Sequence, residues 1–222
     1  MNQITNPRAT EILGELGLTL DEQGPKINFY DAENCYIHHT RMPVALTGYA
    51  LVSPTFARGR FPKTSIVDLV NKRPALDDGE AIALAALCGV HVCGPFWSNG
   101  GPFGEHLWDV IDRYDLGALF QRVPKWHTAA GAHYEMRPCG YDWDGDYSEV
   151  PEELTQWRSA YKKLPLARQL MAATILHLYN STPQPWMLRA PKPPHATDAI
   201  IALRDGGLLQ DWARLVALYP AW

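Results

Sequence analysis

The sequence predicts a mostly helical α+β fold, with a small sheet in the N-terminal half and a helical C-terminal third. In the last third, apolar residues recur at three- and four-residue spacing, which is the period of an amphipathic helix. The earlier part mixes one well-bounded helical run with short apolar segments that are typical of strands. No internal repeat or low-complexity linker divides the 222 residues, so we expect one domain with two sub-parts, 1–149 and 150–222.

The N-terminal sub-part begins with a short helix candidate at residues 7–18, where Pro7 suits a first helical turn. The strand candidates are short segments rich in Val, Leu, Thr and aromatic residues, two of them placed next to turn signals. They are residues 27–30, 43–52 and 90–93.

Residues 78–88 form the best-defined predicted helix. Asp77 or Asp78 can accept the unpaired N–H groups of its first turn, and acids there suit the helix dipole. Gly89 offers the left-handed conformation that often ends a helix. The run is apolar on every face, which predicts a buried helix. A glycine-rich loop then leads to a helix from about residue 104 to 114.

The C-terminal third contains three apolar stripes of helical period. The first follows Pro151, the second runs from Leu170 to Leu178, and the third runs from Leu208 to Tyr219. A further helix at residues 197–204 precedes a glycine pair that separates it from the third stripe. We expect the three stripes to pack on one another as one helical unit.

Composition limits the classes of function. Apolar and charged fractions of 46% and 20% are those of a globular protein, and a net charge of −4 argues against a broad nucleic-acid or anionic-membrane surface. No apolar run reaches the roughly 18 residues of a membrane span, and the first residues do not resemble a signal peptide. Four scattered cysteines then predict free thiols in a cytoplasmic protein. The excess of arginine over lysine favours a bacterial source.

Residues 29–37, Phe-Tyr-Asp-Ala-Glu-Asn-Cys-Tyr-Ile, place an acid at the end of a predicted strand. These nine residues resemble the first motif of NYN-type nucleases of the PIN-like superfamily, whose later Ser-Gly-Asp-x-Asp-Phe motif is absent here. The resemblance implies that Asp31, with Glu33, binds a Mg²⁺ ion that activates water for phosphodiester cleavage. Arg58 and Arg60 would then hold the substrate. Because a hard cation needs several converging carboxylates, a strand that ends in a polar turn is the alternative.

Two further groups have side chains that can bind metals. His91, Cys93, His133 and Cys139 would form a transition-metal site if the fold brought them together, although their spacing is not that of structural zinc. Asp142, Asp144 and Asp146 alternate as in calcium loops, but glycine stands at the fourth position of the loop instead of the sixth. Acids that cap the following helix are the alternative. We therefore expect no cofactor, with magnesium or calcium as the alternatives.

One basic cluster has aromatic residues within it. Arg58, Arg60 and Lys63 lie beside two phenylalanines, a combination that can contact phosphates and stack a base. Nucleic acid is therefore a possible partner through these residues, and a solvated loop is the alternative.

The region from Cys88 to Glu149 holds four of the eight tryptophans, and much of it lacks helical or strand periodicity. Aromatic residues and arginine anchor protein interfaces, and binding residues concentrate in loops. The leading interpretation is therefore a non-enzymatic interaction protein whose partner is another protein; the alternative is the metal-dependent hydrolase described above. The residues expected to share one surface are Trp97, Phe103, Trp126, His127, His133, Tyr141 and Trp143. The oligomeric state is left open.

Overall fold

The computed structural model describes residues 7–15, 42–52, 65–71, 76–93, 100–123, 132–180 and 194–220. Most of them are helical. The helices are α1 (Pro7–Glu15), α2 (Met42–Val52), α3 (Ile66–Asn71), α4 (Asp78–Leu87), α5 (Gly101–Arg113), α6 (Pro151–Lys163), α7 (Leu166–Tyr179), α8 (Ala196–Asp205) and α9 (Leu209–Leu218). A 3₁₀ turn at Ala132–Glu135 leads into the second of two strands, β1 (Phe120–Arg122) and β2 (Met136–Pro138).

The two strands form a small antiparallel sheet in which Phe120 pairs with Pro138 and Arg122 with Met136. The ladder extends at one end, where the N–H of Cys139 donates to the carbonyl of Leu119 over 2.9 Å. The predicted fold class, mostly helical with a small sheet, is confirmed. The strands are not the segments that the sequence favoured, however.

Residues 43–52 were expected to form a strand, and this prediction is wrong because they lie in α2. A continuous apolar run cannot be assigned by periodicity alone, and eleven residues are long for a strand but ordinary for a buried helix. Every residue from Val44 to Ala50 is buried. A side chain at Gly48 would meet the Leu13 side chain at 2.7 Å, so α1 packs closely on α2 at this glycine.

Residues 90–93 were also expected to form a strand, and they do not. Gly89 has a φ of +77°, and the N–H of Val90 donates to the carbonyl of Ala85 over 2.9 Å to close the end of α4. That amide is therefore used by the helix and cannot join a ladder. Val92 is buried among alanines of α4 and α9 instead. The third strand candidate, residues 27–30, lies outside the described residues.

The predictions for α4 itself are confirmed. Asp77 is the N-cap: its carboxylate accepts from the N–H of Glu80 over 2.8 Å, and the Glu80 side chain accepts from the N–H of Asp77. This reciprocal capping box fixes the first turn. The helix is mostly buried, as its apolar faces predict. Helix α1 confirms the described part of the helix expected at residues 7–18.

The helical C-terminal third is confirmed as well, with α6 to α9 at the expected positions. Helix α7 is the central one of the three predicted stripes, because it packs against α6 and Trp212 of α9 reaches its Thr174. Helix α8 lies between α7 and the N-terminal helices α2 and α3. The two sub-parts therefore share one core. Among the described residues, no helix combines the length and apolar character that crossing a membrane requires.

Candidate functional site

The candidate site is built on the loop between β2 and α6. Gly140 turns the chain with a φ of +102°, and a side chain there would come within 2.5 Å of Leu154, so the loop starts tightly against α6. Tyr141 and Glu149 then form an antiparallel bridge, and the N–H of Asp142 donates to the carbonyl of Ser148 over 3.0 Å. The loop is therefore a closed, hydrogen-bonded turn.

Acidic side chains hold the tip of this loop. The Asp142 carboxylate accepts from the N–H groups of Asp144 and Gly145 over 3.2 and 2.8 Å, and Asp146 accepts from the N–H of Ser148 over 2.9 Å. Hydrogen bonds from Ser148, first from its side-chain hydroxyl and then from its N–H, lower the pKa of Asp146. Two of the three acids considered as alternative calcium ligands, Asp142 and Asp146, thus form turn-type hydrogen bonds to the backbone. The part of the chain that the structure describes contains no group of three or more side chains placed to hold a metal ion.

Aromatic rings and one arginine form a cluster at this loop. The guanidinium of Arg137 lies 5.5 Å from the ring centre of Trp143 and 5.6 Å from that of Tyr179, which are cation–π distances. Its Nη1 donates to the carbonyls of Tyr134 and Met136, over 2.9 and 2.7 Å. Trp143 is anchored separately, since its Nε1 donates to the carbonyl of Pro138 over 2.7 Å. Arg137 and Trp143 are therefore both held in place by hydrogen bonds to backbone carbonyls.

Two further tyrosines pack around Trp143. The ring centre of Tyr141 lies 5.3 Å from it, and that of Tyr147 lies 6.1 Å from it. Partial burial raises the pKa of Tyr141 and of Tyr179, so both hydroxyls are neutral and can donate hydrogen bonds at physiological pH. We call this set the aromatic loop face; it consists of Arg137, Tyr141, Trp143, Tyr147 and Tyr179.

Tyr147 is the most exposed member of the aromatic loop face, at 49%. Its φ is +63°, a left-handed conformation that costs a residue with a side chain about 1–2 kcal/mol. The N–H of Tyr147 donates to the carbonyl of Asp142 over 3.0 Å, and this bond helps to hold the strained residue. A large ring is therefore presented to solvent in a fixed, unfavourable backbone conformation.

Phe103 and His133 were expected on the same surface, but the structure buries both, at 1% exposure each. Their ring centres lie 5.3 Å apart, and Phe103 also contacts Tyr219. Burial lowers the pKa of His133 to about 4, which keeps its imidazole neutral. Both residues therefore pack in the core on the inner side of α5. The sequence did not reveal this, because their burial depends on tertiary contacts.

The four residues considered as an alternative transition-metal group are not brought together among the described residues. Sγ of Cys93 lies 3.5 Å from Nε2 of His91 on the surface, while His133 is buried and Cys139 is half-buried. Burial raises the pKa of Cys139 to about 11 and that of Cys88 to about 12, so both are protonated thiols. Cys88, Cys93 and Cys139 are all free thiols.

Several predicted residues lie outside the described part of the chain, and their predictions stay untested. They are Asp31, Glu33, Arg58, Arg60, Lys63, Trp97, Trp126 and His127.

Three members of the site, Arg137, Tyr147 and Tyr179, were not predicted from the sequence. Tyr179 lies 36 residues beyond Trp143, so no local signal places it there. For Tyr147, the run of turn-forming residues on both sides was an available signal.

The aromatic loop face combines stacking surface with negative charge. Residues 137–149 contain one arginine and four acids, a net charge of −3, and the four acids are exposed.

Comparison with known proteins finds no family model, no curated protein and no solved structure that matches the chain.

Proposed function

We propose that the protein is a non-enzymatic interaction protein, and that it binds a partner protein through the aromatic loop face. The observation that supports this proposal most directly is the backbone conformation and exposure of Tyr147. A half-exposed aromatic ring held at a φ of +63° is costly to the fold, and such strain is typical of functional positions.

The residue types support this function. Tryptophan, tyrosine and arginine contribute most of the binding energy at protein interfaces. Here Arg137 and Trp143 are fixed by hydrogen bonds to backbone carbonyls, so little side-chain entropy is lost on binding. A preorganised aromatic surface of this kind favours tight association.

The charge of the loop indicates the kind of partner. Because the loop that carries the rings also carries the exposed acids Asp142, Asp144, Asp146 and Glu149, we infer that the partner segment carries lysine or arginine. Such a segment would place its cation among the acids and its aliphatic stem on the rings. The same charge disfavours phosphate groups at this face. The hydrolase interpretation stays a prediction, since Asp31 and Glu33 lie outside the described residues.

The test is site-specific photo-cross-linking in cells, with a benzoylphenylalanine placed at Tyr147 or at Leu166. Leu166 is the matched control, since it is exposed to a similar extent, at 53%, but lies at the start of α7. We expect a protein cross-linked from position 147 and not from position 166. Equal products from both positions would contradict the proposal.

The partner identified in this way then allows a quantitative test with Tyr147→Gly. Glycine adopts positive φ without cost, so this variant should be as stable as the wild type or more stable. Its affinity for the partner should fall about tenfold or more, as at an interface hot spot. Leu166→Gln should leave the affinity unchanged, and added salt should weaken wild-type binding. Full affinity in the Tyr147→Gly protein would exclude the aromatic loop face.

A further inference from the structure

A second site candidate lies among the helix ends of the core. A cleft of about 310 Å³ opens between α1, α2, α4, α8 and α9. This volume is within the range of small-molecule sites, which starts at roughly 300 Å³. Its floor and walls are mostly apolar, formed by Ala9, Leu51, Ala86, Leu87, Cys88 and Leu209.

The charged residues that the structure describes at the cleft are of one sign. Among the described residues Arg8 and Arg204 line it and no acidic side chain does, although acids outnumber bases in the whole chain. Both arginines are exposed. Within the described residues Arg8 forms no ion pair, and Arg204 pairs with its chain neighbour Asp205 over 2.7 Å. A surface pair of this kind is weak and exchanges readily for another anion.

The helix ends around the cleft contribute little net charge. The first turns of α1 and α9 bring partial positive charge, and the last turns of α2, α4 and α8 bring partial negative charge. These partial charges largely oppose one another and leave about half a negative charge, which the two guanidinium groups outweigh. The cleft therefore offers an apolar interior and a cationic mouth.

We propose that this cleft binds a small amphiphilic anion, a carboxylate that carries a short aliphatic chain. Arg8 and Arg204 hold the carboxylate, because the guanidinium group donates paired hydrogen bonds to carboxylate oxygens. The aliphatic chain lies against Leu51, Leu87 and Leu209, where it displaces water from apolar surface. The site is formed by other elements than the aromatic loop face, and it does not depend on the function proposed for that face.

The test is a titration of the isotope-labelled full chain followed by backbone amide NMR shifts. Octanoate is the probe, 1-octanol supplies the chain without the charge, and inorganic phosphate supplies charge without the chain. We expect saturable shifts with octanoate at residues 8–9, 86–89 and 204–209. Octanol should bind about tenfold more weakly, and phosphate should not saturate.

Variants separate the two parts of the site. Arg8→Gln and Arg204→Gln should each weaken octanoate binding about fivefold or more, with octanol binding unchanged. Arg214→Gln is the matched control, since it removes an exposed arginine of α9 that does not line the cleft. Ala86→Leu should fill the cleft and weaken both ligands, with thermal unfolding showing that it is folded. Absence of saturable octanoate binding, or equal effects of all three arginine variants, would overturn the proposal.

Discussion

Nε1 of Trp212 donates a hydrogen bond of 3.0 Å to Oγ1 of Thr174, and so joins α9 to α7 inside the core. The Thr174 hydroxyl donates in turn to the carbonyl of Leu170 over 2.9 Å. Both side chains are buried, Trp212 completely. Because the hydroxyl accepts one bond and donates another, neither polar group is left unpaired in the apolar interior.

Truncation of Trp212 should be among the most damaging single changes. Trp212→Ala removes a fully buried indole and leaves a cavity, which costs about 3–5 kcal/mol of the free energy of unfolding. Thr174→Val keeps the volume but leaves the indole N–H unpaired, at a cost of about 1–3 kcal/mol. Urea denaturation of the two single variants and the double variant measures both effects. A loss under about 1 kcal/mol for Trp212→Ala would contradict the packing of α9 on α7.

Gly140 should tolerate no side chain. An alanine there must adopt a φ near +102° and would approach Cδ2 of Leu154 to 2.5 Å, so Gly140→Ala should cost about 2–4 kcal/mol from strain and overpacking. Gly117→Ala is the matched control, because no atom of the described residues lies within 4 Å of its added methyl group. That change should be neutral to within about 0.5 kcal/mol. Thermal or urea unfolding compares the two, and equal losses would show that the start of the loop is not constrained by α6.

Stability should decrease as the pH falls from 6.5 towards 4. Burial lowers the pKa of His133 to about 4 from its ordinary value of 6.5, against a weaker opposing effect of a backbone hydrogen bond at Gly100. In this window the unfolded chain binds a proton that the native protein does not, so acid favours unfolding by up to about 3 kcal/mol. Burial lowers the pKa of His106 and His177 in the same direction.

The contribution of His133 can be isolated with His133→Leu. The free energy of unfolding of this variant should depend less steeply on pH between 6.5 and 4 than that of the wild type. His91→Gln, at an exposed histidine, is the control and should keep the wild-type slope. Urea titrations at several pH values measure the slopes, and parallel curves for His133→Leu and wild type would argue against this assignment.

The cysteines should differ greatly in reactivity. Cys88 is buried and its pKa is raised to about 12, so almost none of it is thiolate at pH 8, whereas Cys93 is exposed. We expect iodoacetamide to modify Cys93 at least about a hundredfold faster than Cys88 in the native protein, as measured by peptide mass spectrometry. Complete alkylation after denaturation should label four thiols, as a reducing compartment predicts. A native cross-link, or comparable rates at both cysteines, would refute this account.

Patterns of helical period, and the residues that begin and end helices, predicted much of the fold. Asp77 and Gly89 bound α4 as their residue types require, because capping depends on local backbone chemistry. The apolar stripes of α6, α7 and α9 similarly need only one sequence window each. Short apolar runs do not show whether they form a strand or a helix. Residues 43–52 became a helix because packing on all sides overrides the β propensity of Val, Thr and Tyr.

The aromatic loop face shows that the sequence predicts the residues of a candidate site only in part. Trp143 and Tyr141 were predicted as surface residues from their loop context, and the structure places them together. Tyr179 joins them only because α7 packs beside the loop, whereas Arg137 is held by the nearby carbonyls of Tyr134 and Met136. Phe103 looked equivalent in the sequence, yet its position on the inner side of α5 buries it. Contacts between distant segments decided the positions of Tyr179 and Phe103.

The burial of α2 has a consequence for how the chain folds during its synthesis. Its apolar surface is covered in part by α8, which begins 144 residues after α2 ends. At a translation rate of about 5–20 residues per second, that partner follows after roughly 7–30 s. For this time a strongly apolar segment of the nascent chain lacks part of its native cover, although α1 and α4, which also pack on it, are already synthesised or follow soon. Completion of the core must wait until the C-terminal helices have left the ribosome.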